Sequence, residues 1–472
     1  MKLQRMVFVL FLGLFVLVVG RLSVQARAAA MPPLGLGAWV ERAKLQAADG
    51  TAYAQFGYSV ALSGDGHIAL VGAKTADVNG NEEQGAAYLF RREGDRWVQW
   101  TKLVAEDGKA WDNFGNAVAL SEDGHTALVA AAAFAPVWWQ GHTGAVYVFV
   151  YDGSRWVQQA KLRASGGRGG DRFGYALALS ADGSTALIGA PYVDAGGRKD
   201  RGAVYVFKRQ GNTWTEQAGF TLDDVMAEDY FGRAVALSAD GHVALVGADN
   251  TDVNGVENQG AVYVLTAQGD TWTVQARLTA SDGGANHYFG NAVALSSDGN
   301  LALVGAREAS VGGQECQGAA YVFVRDGARW RQEAKLSKAV SEWCHTFGRS
   351  VALSADGSVA LVGAENVNVG WSANVGAAYV FRRGDAGWVQ EAELMAHDGQ
   401  EGDLFGWSVA LSHDGETALV GAYKADIGNQ ENQGAAYVFD VQMPPTPTPM
   451  PVPTPSPTPA WAVHLYMPLM TR

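Results

Sequence analysis

Hydrophobic and polar positions along the chain fall into one pattern written seven times. Its first copy, "FGYSVALSGDGHIALVGA" at residues 56–73, sets a run rich in Val, Ala and Leu, a polar break, and a second such run. Runs of this kind lack the alternation of a half-solvated sheet and belong to strands buried on both faces. The break, Ser63-Gly64-Asp65-Gly66, recurs as Ser-x-Asp-Gly in every copy, ending at Gly124, Gly183, Gly241, Gly299, Gly357 and Gly415. Asp-Gly supplies the positive-φ positions that a tight hairpin requires. Two more strands follow in each copy, "GAAYLF" and "RWVQWTKL" in the first, joined by a second hairpin such as "RDGARW" ending at Trp330.

Copy length hardly drifts. Phe56-Gly57 returns as Phe114-Gly115, Phe173-Gly174, Phe231-Gly232, Phe289-Gly290, Phe347-Gly348 and Phe405-Gly406, in steps of 58, 59, 58, 58, 58 and 58 residues. Four short antiparallel strands per unit, repeated in this way, describe the blade of a β-propeller. The seventh copy stops after three strands, at "GAAYVFDV" (434–441), and its missing piece stands at the other end of the chain: "WVERAKL" (39–45) matches "WVQQAKL" (156–162). The expected fold is all-β, a seven-bladed β-propeller of four-stranded antiparallel blades over residues 39–441. The N-terminal strand completes the last blade and closes the ring, which removes exposed sheet edges.

These residues carry a family resemblance. Phe56-Gly57 followed by Val71-Gly72-Ala73, seven times over, resembles the FG-GAP repeat of the integrin α-subunit N-terminal propeller and its secreted bacterial relatives. The resemblance implies a binding or adhesion domain whose loop rim meets the ligand, although such propellers are also attached to secreted enzymes. It further implies calcium wherever the first hairpin runs Asp-x-Asp/Asn-x-Asp-Gly-x-x-Asp. Here that hairpin is cut to Ser-x-Asp-Gly. One carboxylate per blade falls far short of the roughly six to eight oxygens that calcium takes.

Composition changes the picture mainly by exclusion. With 48% apolar and 18% charged residues, 59 glycines and 15 tryptophans among 472 residues, the chain suits a β-rich protein with many tight turns. A net charge of −13 without a basic run beyond the N-terminus excludes nucleic acid as a partner. Lys2 and Arg5, the apolar run 6–20 and the small residues "SVQARAAA" read as a signal peptide over 1–30, with cleavage after Ala26, Ala28 or Ala30. A retained anchor is the alternative, but the run is short of the roughly 20 residues a membrane span needs. The expectation is a secreted or cell-surface protein, monomeric and without a transmembrane span in the mature chain. Pro/Thr-rich sequence at 443–460 then reads as an extended linker with acceptor candidates for O-glycosylation. Residues 461–472 read as a short apolar tail, either an attachment signal or a frayed terminus. Cys316 and Cys344 fall on one rim in adjacent blades, and in an exported protein they are expected to form a disulfide.

Residues common to all copies are explained by packing. Trp39, Trp97, Trp156, Trp214, Trp272, Trp330 and Trp388 hold one repeat position and read as inter-blade core. His67, His125 and His242 flank the Asp-Gly turn. Function is expected where the copies differ, in the loop between the second and third strands and in the linker to the next blade, both on one rim. Those segments carry Trp111, Trp138, Trp139, Tyr192, Tyr230, Tyr288, Trp343 and Trp371, with Trp407 close by. Such aromatics either stack on sugar rings or anchor a protein, or they cover the rim and pack on each other. An extracellular polysaccharide or protein is the expected partner.

Three loops share a motif with Asp77 and Asn79, Asp252 and Asn254, and Asp426. Calcium ligation is one reading and ion-free Asx-turns the other. No other cofactor is expected. Gly-x-Ser-x-Gly, His-Glu-x-x-His and a phosphate loop are all missing from the sequence. His142, His287, His345 and His397 are scattered over the rim. Asp112, Asp171, Asp229 and Asp403, each two residues before a repeat Phe, suit linker capping better than catalysis. The expectation is a non-catalytic binding propeller, with a passive surface scaffold and then a rim-centred hydrolase as alternatives.

Overall fold

The computed structural model describes residues 38–132, 143–338 and 344–442, which form 28 strands in seven four-stranded antiparallel sheets. The proposed signal peptide, Pro/Thr linker and tail lie outside the described residues. Blade 1 contains β2 (Phe56–Leu62), β3 (Ile68–Ala73), β4 (Ala86–Glu93) and β5 (Arg96–Leu103), ordered from the channel outward. Blades 2 to 6 repeat it over 114–162, 176–220, 234–278, 289–336 and 350–394. Blade 7 takes β26 (Ser408–Leu411), β27 (Thr417–Ala422) and β28 (Ala435–Gln442), and β1 (Ala38–Leu45) pairs with β28 from Ala38↔Gln442 to Leu45↔Ala436. The ring closes as expected, with the first described strand supplying the last outer edge. Among the described residues no helix is long and apolar enough to cross a membrane.

The core lies between blades. Leu70, Ala87 and Leu89 of blade 1 pack with Phe114, Val129 and Tyr147 of blade 2, and equivalent clusters fill the other interfaces. The repeat Phe is the keystone. Phe56 is fully buried, and its ring meets Tyr88 at a centroid distance of 5.6 Å; the same Phe–Tyr pair recurs at Phe114–Tyr147, Phe231–Tyr263 and Phe405–Tyr437. Each such ring contributes about 1.5–3 kcal/mol through burial. The repeat tryptophans sit further out, half-buried on the outer strands, where each packs against one of the inter-blade clusters. Trp214, Trp330 and Trp388 each donate an indole N–H to a Gln or Glu of the preceding blade, at 3.2 Å.

Both repeated glycines are dictated by close approach. A Cβ on Gly72 would stand 2.1 Å from Gly115 O of the next blade, and Gly57 has φ +89° with Ala435 O at 2.2 Å from any added Cβ. No side chain fits either place, and the positive φ also favours glycine.

On one face lie the Ser-x-Asp-Gly turns. Ser63 Oγ donates to Asp65 Oδ1 at 2.6 Å and accepts the Ile68 N–H at 2.9 Å, and this arrangement repeats in every blade, for example at Ser121 and Ser412. The residue after each serine donates its N–H to its counterpart in the next blade: Gly64 to Glu122, then Ala181, Ala239, Ser297, Ala355, His413 and back to Gly64, at 2.8–3.0 Å. Inner-strand leucines, Leu62, Leu120, Leu179, Leu237, Leu295 and Leu353, line the narrow space of about 120 Å³ inside this backbone circle. On the opposite face the second loop of each blade joins the first residue of the next, as in Phe114 N–H to Gln84 O at 2.8 Å.

Candidate functional site

Two repeat positions on the loop face break the sevenfold pattern. Directly after each Phe-Gly stand Tyr58, Asn116, Tyr175, Arg233, Asn291, Arg349 and Trp407. Directly after the second inner strand stand Lys74, Ala132, Pro191, Asp249, Arg307, Glu365 and Tyr423. Strand geometry fixes both rows at the loop-face mouth of the channel, so residues about 58 apart in sequence become neighbours. A cavity of about 290 Å³ opens there, lined by Tyr58, Lys74, Asn113, Asn116, Ala132, Arg172 and Tyr175.

Cations and aromatic rings interleave around this mouth. Arg349 lies 3.9 Å above the Trp407 ring, and Lys74 lies 3.5 Å from the centre of Tyr58. Arg172 covers Tyr192 and Arg307 covers Tyr288, each at 4.3 Å. Contacts of this type stabilise by about 0.5–2 kcal/mol, more as water is excluded. Trp407 also packs on Tyr423 at 4.7 Å and on Tyr58 at 5.4 Å, with ring planes tilted by 56° and 45°. Tyr192 bridges Tyr175 and Tyr230 at 6.0 and 5.2 Å.

Two buried carboxylates stand among these cations. Asp249, fully buried, holds Arg307 Nη1 at 3.1 Å and Arg233 Nε at 3.4 Å through Oδ2, while its Oδ1 has no hydrogen-bond partner. Glu365 meets Arg349 Nε at 3.4 Å, and burial pushes its carboxyl up against the pull of that guanidinium. Against these two acids, with Glu308 at 3.6 Å from Arg307 and Glu83 near Lys74, stand Lys74, Arg172, Arg233, Arg307 and Arg349. The mouth thus carries an excess of positive charge on a chain of net −13. Lys74 feels it: burial lowers its ammonium to about 8, with Arg172 and Arg349 pushing the same way and Glu83 opposing.

Of the six tryptophans singled out from sequence, Trp407 stands in this mouth. Trp111 is half-buried at the seam between blades 1 and 2, with φ +70° and its N–H donated to Glu82 O at 2.9 Å. Trp371 projects from its loop, fully exposed. No ring contact joins either to Trp407 among the described residues, so the three do not form one platform. Trp138, Trp139, Trp343 and His142 lie outside the described residues. Lys74, Arg233, Arg307, Arg349, Tyr58 and Tyr423 were not singled out from sequence. The available signal was the disagreement among copies at the positions just after Phe-Gly and just after Val-Gly-Ala.

The acidic loops are small hairpins. Asp77, Asp252 and Asp426 each accept, through Oδ1, the backbone N–H six residues on, at 2.8–2.9 Å. Asn368 does the same for Asn374 at 2.9 Å, so a neutral amide serves as well as a carboxylate. Asn79 and Asn254, at φ +52° and +53°, open Asn-Gly turns of the kind hairpins favour. No group of three or more His, Cys, Asp or Glu converges to hold a metal among the described residues.

The aspartates before each Phe fasten the linkers: Asp112, Asp171, Asp229 and Asp403 accept an N–H three residues earlier, at 2.6–2.8 Å. His287 and His345 occupy the same repeat position. His287 Nδ1 accepts the Gly284 N–H at 2.9 Å, and burial lowers the pKa of both imidazoles. His397 is elsewhere, against Glu41 at 2.7 Å. Cys316 and Cys344 form a disulfide with Cα atoms 4.9 Å apart, tying the second loop of blade 5 to the linker into blade 6. Closing a loop of 28 residues stabilises by about 3–4 kcal/mol in the chain-entropy view.

No curated protein matches the chain in sequence. The FG-GAP repeat model matches it seven times, at 39–90, 97–149, 156–207, 214–265, 272–323, 330–381 and 388–439, which is well over half of its length. With seven such repeats folded into one closed ring, the chain belongs to the FG-GAP repeat family and is a propeller of the integrin α type.

Proposed function

We propose that this chain is a non-catalytic binding propeller, secreted or displayed at the cell surface, that presents its loop face to an extracellular polysaccharide or protein. One observation carries the reading. At the turn-face end of the channel the inner strands repeat leucine, whereas at the loop-face end the same strands carry Tyr, Asn, Tyr, Arg, Asn, Arg and Trp. Packing alone rewards repetition in a closed ring, and the turn-face end keeps its leucines and varies at the residue after each serine. Divergence of the large polar and aromatic side chains at the loop-face mouth is what recognition of an asymmetric ligand needs. The protein acts as a monomer and without a cofactor in this reading. A hydrolase is disfavoured because His287 and His397 are engaged at separate places, away from the mouth carboxylates Asp249 and Glu365.

A second reading, a surface scaffold with no ligand, draws on the mutual packing of Tyr58, Trp407 and Tyr423, whose tilted rings offer no flat platform. The test is a pull-down of the mature chain with extracellular polysaccharides and proteins, in calcium and in chelator, beside Trp407→Ala and Trp371→Ala. Saturable binding lost in Trp407→Ala supports a binding mouth. Loss in Trp371→Ala alone moves the contact to the outer loops, and loss in chelator brings back the Asp77, Asp252 and Asp426 loops as metal sites. No binding by the folded ring leaves the scaffold.

A further inference from the structure

The cavity between blades 1, 2 and 3 is built by departures from the repeat. Blade 2 reads Val129-Ala130-Ala131 where other blades carry Gly before Ala. A Cβ placed on Gly174 of blade 3 would stand 3.3 Å from Ala145 O, whereas the equivalent distance is 2.2 Å at Gly57, 2.4 Å at Gly115 and 2.7 Å at Gly290. The methyl of Ala130, 3.0 Å from that point, fills the space where other blades touch backbone to backbone. Ala132 then places a methyl where other blades put Lys74, Asp249, Arg307, Glu365 or Tyr423. The wider seam and the missing side chain leave the cavity of about 290 Å³, at the small end of the roughly 300–1,000 Å³ that ligand sites occupy.

Its lining has a definite chemistry. Lys74 and Arg172 supply positive charge, and Lys74 forms no ion pair with a carboxylate among the described residues. Tyr58 and Tyr175 bring half-buried rings, and Asn116 brings an amide. The mouth acids Asp249 and Glu365 are on blades 4 and 6, each against arginine.

We propose that this cavity receives a carboxylated sugar, a uronate residue of an acidic polysaccharide, with the carboxylate on Lys74 and Arg172 and the ring between Tyr58 and Tyr175. An ion pair alone would suit any anion. The amide and the ring faces beside it suit the hydroxyls and C–H face of a sugar. Burial lowers Lys74 to about 8, with Glu83 opposing and Arg172 and Arg349 adding to the shift. A carboxylate placed against the ammonium favours its charged form, so the ligand raises that pKa and complex formation takes up a proton near pH 8.

This inference rests on the binding reading above and is tested separately from it. Calorimetry on the full mature chain uses trigalacturonate, its neutral methyl ester and a triglutamate peptide, at pH 8 in two buffers of different ionisation enthalpy. The expected result is saturable binding of trigalacturonate, at least tenfold weaker binding of the ester and the peptide, and a buffer-dependent heat that reports proton uptake. Lys74→Met, which removes a partly desolvated charge and is expected to fold, loses tenfold or more in affinity together with the buffer dependence. Ala132→Leu, which fills the cavity and leaves every charge in place, loses binding as well. Equal binding of the ester, preference for the peptide, or full affinity in either variant overturns the uronate site and leaves the binding propeller standing. Binding of none of the three overturns the uronate site, and the pull-down then decides the broader reading.

Discussion

The two ends of the channel are built from the same seven strands and obey different rules. At the turn face, leucines line the opening, the Ser-x-Asp-Gly turns bond identically, and seven backbone N–H groups pass around the ring. At the loop face, the copies share their backbone contacts yet differ in nearly every side chain that borders the opening. Equivalence serves closure: a ring of wedges shuts only if each occupies the same angle, and the close-packed interior tolerates little variation. Divergence begins where wedge geometry no longer constrains the side chain, one or two residues past the glycine contacts, at Tyr58 after Gly57 and at Lys74 after Gly72.

That contrast can be broken or sharpened by substitution. The largest effect is expected at the uniform contacts. Gly247→Val would drive a side chain into Gly290 O, 2.1 Å from the added Cβ, and should cost more than about 4 kcal/mol or prevent folding; soluble yield and denaturant midpoint report it. Next comes Asp249→Ala, which leaves Arg233 and Arg307 facing each other without their shared acid. A loss of about 3 kcal/mol in urea unfolding is expected, and a change under 1 kcal/mol would show that water already solvates those guanidiniums.

A smaller effect should appear in the pH dependence of stability. Lys74 titrates at about 8 when folded and ordinarily at 10.5, so between those values the unfolded chain holds more protons. Its contribution therefore makes stability rise with pH across that window, where most lysines do the reverse. Lys74→Met should remove this slope and raise stability at pH 7 by on the order of 2 kcal/mol. Identical wild-type and variant profiles would mean that the ammonium is fully hydrated. The smallest effect belongs to a single turn. Asp65→Ala removes acceptors for Ser63 Oγ and the His67 N–H and should cost about 1 kcal/mol, with the other turns unchanged.

Most of the fold was legible in the sequence because its determinants are local and repeated. Asp-Gly turns, buried runs and the split of the last blade between 39–45 and 434–441 each required nothing beyond the chain itself. The disulfide was legible for the same reason, since topology put Cys316 and Cys344 on one rim. The mouth was harder. Tyr58, Lys74, Arg233, Arg307, Arg349 and Tyr423 sit at the ends of strands and look like strand residues one at a time. They become a set only when closure brings together positions from different blades. Attention to conspicuous loop aromatics led to Trp371, which stands alone, and to Trp111, which props a linker. The cavity itself follows from Ala130, whose methyl stands where other blades carry glycine, and from Ala132, which lacks the larger side chain found at that position in other blades.

The pairing of β1 with β28 has a mechanical consequence. Ala38 and Gln442 are opposite one another at the turn face, so both described ends of the chain leave the ring on the side away from the divergent mouth. Anything that holds the protein by either end points that mouth outward. β28 has neighbours on both sides, β27 and β1, and tension applied at Gln442 runs along its length. Such a pull stresses the rungs of two ladders together in shear instead of peeling them one by one. The strand onto which β1 closes the circle is thereby well placed to resist being drawn out of it.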